Sequence, residues 1–191
     1  RVRGHRDGDN PARWKGHLDK VFPAQSLVKK VEHFPAVPVN TVPTFYRSLE
    51  GISGVSAIAL RFLILTAARS GEVRGAEWVE IDMEQAIWTI PASRMKSKRQ
   101  HRVPLSAAAL AVLRATREHK LATGSGLVFC NSKGGQLSDM SLTAVMRRMM
   151  VEAVPHGFRS SFRDWVGEHT QYPSDLAEMA LAHVLPNKTE A

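Results

Sequence analysis

Apolar residues recur along most of the chain at helical spacing, and the densest run spans residues 53–68. In this run, apolar side chains occupy nearly every face of a helical wheel, which is typical of a helix buried on all sides. The pattern therefore predicts the central core helix of a globular domain. We expect Gly71 to end this helix and a short helical turn to continue to Arg74.

A different pattern follows, in which short runs rich in β-branched and aromatic residues predict three strands, over residues 78–82, 86–91 and 101–105. A tight turn at residues 82–85 joins the first two strands. Residues 94–100 join the second strand to the third as a basic connection. We expect this connection to be exposed at the end of a hairpin and available to a partner.

Helical spacing and capping residues predict further helices on both sides of these strands. They span residues 10–21, 44–50, 106–119, 138–153, 156–169 and 174–183. The predicted fold class is α+β and mainly helical, with a small three-stranded antiparallel sheet. Proline, glycine, histidine and basic residues dominate the start of the chain, so we expect residues 1–40 to be a linker and residues 41–191 to form the domain.

The composition excludes several classes of protein. The longest apolar stretch, residues 58–65, is interrupted by Arg61 and is far shorter than the ~20 residues that a membrane span requires. A single cysteine, Cys130, excludes a disulfide framework and a multi-cysteine zinc site, and it fits a reducing compartment. We therefore expect a soluble, cytoplasmic protein with no membrane partner.

The charge balance points to a class of partner. Lysine and arginine total 26 against 18 for aspartate and glutamate, which leaves a net charge of +8. A basic protein of this kind favours a polyanionic partner, and nucleic acid is the expected one. The basic connection carries four cations that could contact it, although a charge run in a loop can also be merely solvated. These cations are Arg94, Lys96, Lys98 and Arg99.

An arginine lies at the predicted end of the core helix, next to Gly71 and Glu72. The carboxylate of Glu72 could orient Arg69 as a bidentate clamp for an anionic ligand, because the planar guanidinium matches carboxylate and phosphate alike. Alternatively, Arg69 only caps the last carbonyl groups of its own helix. The sequence of this segment leaves both interpretations open.

The predicted helix over residues 156–169 has two faces. One face is apolar, whereas His156, Arg159 and Arg163 share an adjoining face. By spacing alone, this face is equally consistent with a solvated surface and with an anion site. His183 follows near the end of the last predicted helix, where a lone histidine is more often a cap or a core residue.

Taken in chain order, these features resemble the catalytic domain of tyrosine recombinases, the phage-type integrases, and in particular the branch encoded by prophages and integrative islands. The resemblance spans about residues 42–191. The family's T-G-x-R-x-G-E motif is matched by residues 66–72, with Ala67 in place of the usual glycine. The family's V-P-L sequence is matched by residues 103–105, which favours Lys96 over Lys98 as the catalytic lysine. The His-x-x-Arg box and the L-x-H motif are matched at residues 156–159 and 181–183.

The resemblance implies site-specific DNA strand cleavage and rejoining through a 3′-phosphotyrosine intermediate, for integration or excision of a mobile element. It implies catalytic roles for Arg69, Lys96, His156, Arg159 and His183. Glu72 is expected to support Arg69, and Arg94, Lys98 and Arg99 of the basic connection are expected to contact DNA. Arg163 lies next to the cluster but outside the motif, and we expect it to contact the DNA backbone or to form a salt bridge. No cofactor and no metal ion are expected, because the two arginines would supply the positive charge that metal ions supply in nucleases.

The family's nucleophilic tyrosine follows its second histidine, and neither Tyr46 nor Tyr172 lies at that position. We therefore expect this sequence to stop just before the nucleophile and to carry, in residues 1–40, only a tail of the amino-terminal DNA-clamping domain. Such a fragment is expected to be a monomer that does not cleave DNA unaided. The full-length parent is expected to act as a homo-tetramer on double-stranded attachment sites, in association with the bacterial nucleoid.

Two alternatives to this function remain open at the level of sequence. The first is a catalytically silent DNA-binding module, in which the basic residues only contact the DNA backbone. The second is a strand relaxer of the type IB topoisomerase kind, which shares the same active-site chemistry without bringing two DNA sites together.

Overall fold

The computed structural model of the chain describes residues 10–23, 34–118 and 126–183. The chain divides into two compact units, Arg1–His33 and Phe34–Ala191. In the first unit, the predicted helix over residues 10–21 is wrong: the segment consists of turns and a short 3-10 helix, Leu18–Lys20. Gly16 has a positive φ of 81° that interrupts helical geometry, and the Asn10 side chain accepts a hydrogen bond from the Ala12 amide at 2.9 Å.

The second unit has seven α-helices and three strands within its described residues. The helices are α1 (Val42–Glu50), α2 (Val55–Thr66), α3 (Ser70–Arg74), α4 (Ala107–Glu118), α5 (Ser141–Arg148), α6 (Gly157–His169) and α7 (Ser174–Ala180). The strands are β1 (Ile81–Asp82), β2 (Ile87–Ile90) and β3 (His101–Pro104). Short 3-10 helices occupy Val39–Thr41, Trp78–Glu80 and Ala92–Arg94. Among the described residues, no helix is both long and apolar enough to cross a membrane.

Helix α2 is the centre of the core, as its apolar pattern predicts. It packs against α1, α3, α4 and α5, and its Phe62 side chain is fully buried. The ring of Phe62 contacts those of Trp88 and Phe129, with centroids 5.4 and 5.5 Å away. Phe62 therefore joins α2 to β2 and to the segment that carries Phe129 through buried aromatic surface.

The end of α2 differs from the prediction. The helix ends at Thr66, where Ala67 adopts the left-handed conformation with φ 49° and ψ 24°. Gly71, expected to end this helix, instead lies inside the short helix α3. A left-handed residue after the last helical turn redirects the chain, and this geometry is not visible in the apolar pattern.

The three strands form an antiparallel sheet in the order β1-β2-β3, which confirms the predicted fold class. Trp88 and Ile90 on β2 are fully buried and alternate with more exposed neighbours, as expected for a sheet with one face on the core. Residues 78–80, predicted as strand, form a 3-10 helix, and the strand begins only at Ile81.

Two helices are shorter than their patterns predict. Helix α5 covers Ser141–Arg148 rather than residues 138–153, and Met150 after it has a φ of 57°. Helix α7 ends at Ala180 rather than at residue 183, and Ala182 has a φ of 52°. In both cases a left-handed residue reverses the chain before the apolar pattern ends.

Candidate active site

Arg69 and Glu72 form a pair at the start of α3. The Glu72 carboxylate is 6% exposed and accepts hydrogen bonds from the backbone amide and the Nη1 of Arg69, both at 2.8 Å. The same carboxylate therefore caps the helix and fixes the guanidinium. Arg69 lies at the beginning of α3 rather than at the end of α2, and about a quarter of its side chain, 24%, remains exposed.

Arg159 extends from the first turn of α6 into the interior and is only 4% exposed. Its Nη1 donates to the Ala67 carbonyl at 2.7 Å, and its Nη2 donates to the Leu181 carbonyl at 2.6 Å. These carbonyls lie just past the ends of α2 and α7, where the helix dipoles favour a cation. The Nε of Arg159 is buried without a partner among the described residues.

The charge on Arg159 is costly to bury. Burial, followed by the nearby positive charge of Arg69, lowers the pKa of Arg159 to about 10, whereas Glu72 and Glu178 act in the opposite direction. A pKa of about 10 keeps the guanidinium protonated at neutral pH. The site therefore holds two fixed positive charges close together.

His183 lies beside Arg159, after the end of α7. Its Nε2 accepts a hydrogen bond from the Nη2 of Arg159 at 3.0 Å, which places the ring proton on Nδ1, where Glu178 accepts it. Glu178 also lies 3.7 Å from the Nη1 of Arg163, whose side chain is about half exposed. The third cation of the α6 face is therefore connected to the cluster through Glu178.

His156 lies at the start of α6 on the exposed side of the cluster. Burial lowers its pKa first, and the charges of Arg159, Arg69 and His183 lower it further. The neutral imidazole is therefore favoured at pH 7, which is the form that accepts a proton.

His101 belongs to the same neighbourhood, although sequence analysis did not identify it. Its Nε2 lies 3.2 Å from the carbonyl oxygen of Ala180, so Nε2 carries the proton and joins β3 to the end of α7. Burial lowers the pKa of His101, and the charges of Glu72, Arg159 and Arg69 also act on it. The sequence pattern places His101 on a strand, but it carries no signal that α7 ends beside that strand.

The basic connection between β2 and β3 divides into an inner and an outer part. Arg94 belongs to the inner part: its Nε and Nη2 donate to the two carboxylate oxygens of Glu80 at 3.0 and 2.7 Å, and its Nη1 donates to the Glu72 carbonyl at 3.2 Å. These bonds give Arg94 a structural role, whereas the DNA contact expected from the sequence stays a prediction. It supports α3, the short helix that carries Glu72.

The outer part carries Lys96, Lys98 and Arg99, which are all exposed. Met95 is 2% exposed and anchors the loop in the core, and the Lys98 amide donates to the Met95 carbonyl at 3.1 Å in a turn. Three cations therefore project from a loop whose base is fixed, which is the arrangement expected of a surface that meets a polyanion.

The cluster as a whole is suited to binding an anion with several oxygens. It brings together two guanidinium groups, a histidine hydrogen-bonded to one of them, and a second histidine close by, over the carboxylates of Glu72 and Glu178. Guanidinium forks match phosphate geometry. Within the described residues, no group of three histidine, cysteine, aspartate or glutamate side chains could hold a metal ion.

The two tyrosines lie on other parts of the second unit. Tyr46 is on α1, where the guanidinium of Arg61 lies 5.2 Å from its ring centroid. Tyr172 is in the connection between α6 and α7 and is 66% exposed. Neither makes a described hydrogen bond to the cluster through its phenol group.

Comparisons with known proteins all point to the same family. The sequence description of the phage integrase family matches residues 38–191. The prophage integrase IntZ of Escherichia coli (strain K12) is 35% identical over 161 residues, which cover 80% of this chain and 38% of that protein. The integrase of Shigella phage Sf6 is 34% identical over 158 residues, which cover 80% of this chain and 40% of that protein. The chain thus spans about two fifths of the length of these curated relatives.

Solved structures share the fold. A lambda integrase (75–356) dimer bound to a COC′ core site has a TM-score of 0.61 and 16% identity, over 82% of this chain and 58% of that one. The XerH site-specific recombinase bound to a difH substrate has a TM-score of 0.62 and 19% identity, over 82% of this chain and 50% of that one.

Proposed function

Because this chain belongs to the phage integrase family, whose members are tyrosine-type site-specific recombinases, we propose that it contains the catalytic region of an enzyme that cleaves and rejoins DNA strands. The observation that carries this proposal is that Arg69, which Glu72 holds in place, lies near enough to Arg159 for its charge to act on that buried guanidinium. Two neighbouring guanidinium groups need a ligand with distributed negative charge, and a DNA phosphate supplies it.

The reaction forms a bond between phosphorus and a tyrosine oxygen and breaks the bond between phosphorus and the 5′ oxygen of the next nucleotide. The pentacoordinate transition state carries extra negative charge on its non-bridging oxygens. Arg69 and Arg159 would donate to these oxygens, and the unpaired Nε of Arg159 is one donor that the described protein groups leave unused. Because both guanidinium groups are already fixed, little reorganisation is needed at the moment of reaction.

Proton transfers would use the remaining residues. His156, held in its neutral form, would take the proton of the attacking tyrosine, and Lys96 would protonate the departing 5′ oxygen from its exposed loop. In the structure, the Nε2 of His183 faces Arg159 and its Nδ1 faces Glu178. His183 would donate to a non-bridging oxygen once these two contacts of its ring nitrogens have changed. The covalent 3′ link conserves the energy of the phosphodiester bond, so rejoining needs no cofactor.

We propose that the nucleophile is neither Tyr46 nor Tyr172 but a tyrosine that follows His183 in a longer protein. In support, Tyr46 packs under Arg61 and Tyr172 is an exposed loop residue. On this proposal, the 191-residue chain binds DNA as a monomer and does not cleave it. The longer protein acts as a homo-tetramer on two attachment sites in the bacterial nucleoid.

The test compares this chain with a longer form that includes the native residues after Ala191, each incubated with a nicked suicide DNA substrate. A denaturant-resistant protein–DNA band from the longer form alone supports the proposal. If the longer form binds the DNA without forming the band, the protein is a silent DNA-binding module. If the longer form relaxes supercoiled DNA but fails in a two-site recombination assay, it is a relaxer of the type IB topoisomerase kind.

A further inference from the structure

Residues 34–37, which we call the strap, have no regular secondary structure and cross the first turn of α6. The approach is so close that only glycine fits beneath it: a Cβ on Gly157 would lie 2.3 Å from the Pro35 carbonyl oxygen and 2.7 Å from the Ala36 Cα. Both contacts are backbone atoms, which cannot rotate away. The strap and the start of α6 are therefore fitted to each other.

Two hydrogen bonds hold the strap on either side of this contact. The Val154 amide donates to the Pro35 carbonyl at 3.2 Å. The Ser161 hydroxyl donates to the Val37 carbonyl at 2.5 Å, and Ser161 is 5% exposed. The Ser161 bond is buried, so breaking it would leave a buried polar group without a partner.

The strap also touches a residue of the candidate site. The ring of Phe34 meets the imidazole of His156 edge to face, with centroids 4.9 Å apart at 64°. Among the described residues, no hydrogen bond holds the His156 imidazole, and the Phe34 ring restricts its rotation on one side. Phe34 itself is 61% exposed, which is unusual for a phenylalanine that serves only the core.

We propose that Phe34 is a positioning residue for His156, and that the strap aligns this imidazole by fixing the start of α6. The placement of the imidazole stands on the contacts alone. Its consequence for strand cleavage rests on the proposed function.

The placement is tested on the full 191-residue chain by NMR of ¹³C,¹⁵N-histidine-labelled protein. Groups that act electrostatically on His156 are Arg159 on its own helix, Arg69 before α3 and His183 after α7. Phe34→Ala removes the apolar cover while these charges stay, so we expect the pKa of His156 to rise and its ring resonances to sharpen. Phe34→Leu, which keeps apolar cover, should restore most of the wild-type pKa.

The matched control is Val79→Ala, because Val79 is also an exposed apolar residue, 86% exposed, and lies in the 3-10 helix that precedes β1. We expect this variant to leave the His156 resonances unchanged. Identical His156 resonances and titration in Phe34→Ala and the wild type would overturn the proposal. Gly157→Ala is a second probe, and an altered His156 environment in its folded fraction supports the fit between strap and helix.

The catalytic consequence is measured in the longer, cleavage-competent form. We expect Phe34→Ala to lower the cleavage rate constant by about tenfold with DNA affinity unchanged, because a small misplacement of a proton acceptor slows chemistry rather than binding. An unchanged rate in this variant, beside an active wild type, would overturn the catalytic role. An inactive wild type would instead count against the proposed function, and the NMR result would still decide the placement.

Discussion

The guanidinium of Arg159 donates a hydrogen bond to the carbonyl oxygen of Ala67, at 2.7 Å. Ala67 is the left-handed residue that ends α2, with φ 49°. The conformation that ends the core helix therefore also supplies an acceptor for a buried arginine of the candidate site. Glycine is the residue that adopts this conformation without steric cost, which accounts physically for the glycine usual at this position of the motif.

Replacing Ala67 with glycine should stabilise the protein. The left-handed conformation costs alanine roughly 1–2 kcal/mol, and the greater freedom of glycine in the unfolded chain offsets about half of that. We expect the free energy of unfolding to rise by about 0.5–1 kcal/mol, measured by urea denaturation. Ala111→Gly is the control, because glycine at this exposed position inside α4 should lower the free energy of unfolding by about 1 kcal/mol. A loss of stability in Ala67→Gly would contradict the prediction.

Arg69→Ala and Arg159→Ala in the cleavage-competent form should each slow formation of the covalent complex by about a hundredfold or more, equivalent to about 3 kcal/mol. The reason is that each removes donors to the charged oxygens of the transition state. Arg114→Ala on the exposed face of α4 is the control and should retain wild-type activity. Near-normal cleavage by either site variant would refute its assignment.

Comparing Arg94→Ala with Arg99→Ala should distinguish a cation that stabilises the fold from a cation that contacts DNA. Arg94→Ala leaves Glu80, whose side chain is 7% exposed, without its bidentate partner. We therefore expect the free energy of unfolding to fall by about 2 kcal/mol. Arg99→Ala should leave stability unchanged but reduce the slope of log affinity for DNA against log salt by about one. Equal unfolding curves for the two variants would contradict this division.

Stability should fall in mildly acidic solution, in part because of His101. Burial lowers the pKa of His101 in the folded state, so the unfolded chain binds more protons as the pH falls below about 6.5. The contribution of neutral His101 to the free energy of unfolding is therefore complete above that pH and is lost as the pH falls below it. His101→Gln keeps a donor for the Ala180 carbonyl without titrating, so its stability should depend less on pH in urea titrations at about pH 7.5 and 5.5.

The control for this pH effect is His169→Gln, because His169 is exposed at the end of α6. This variant should show the wild-type pH dependence. If His101→Gln and His169→Gln respond to pH in the same way, burial of His101 is not the cause.

Several features of this protein follow from the sequence alone. Apolar periodicity is a local property, so the central helix, the three strands and the order of the elements could be predicted from it. The motif positions of Arg69, His156, Arg159 and His183 could also be identified in chain order. The ends of α2 and α7 could not, because Ala67 and Ala182 adopt left-handed conformations that no local signal at an alanine indicates.

Apart from the local pair of Arg69 and Glu72, tertiary structure alone decided how the charged groups of the site are partnered. The sequence determined that Arg94 and Arg159 are cations, whereas the folded chain directs one to Glu80 and the other to two helix ends distant in sequence. It also brought His101 to the end of α7 and Phe34 to His156. These contacts depend on how whole elements pack in three dimensions, because hydrogen bonds and ring contacts form between atoms that the linear order of residues does not bring together.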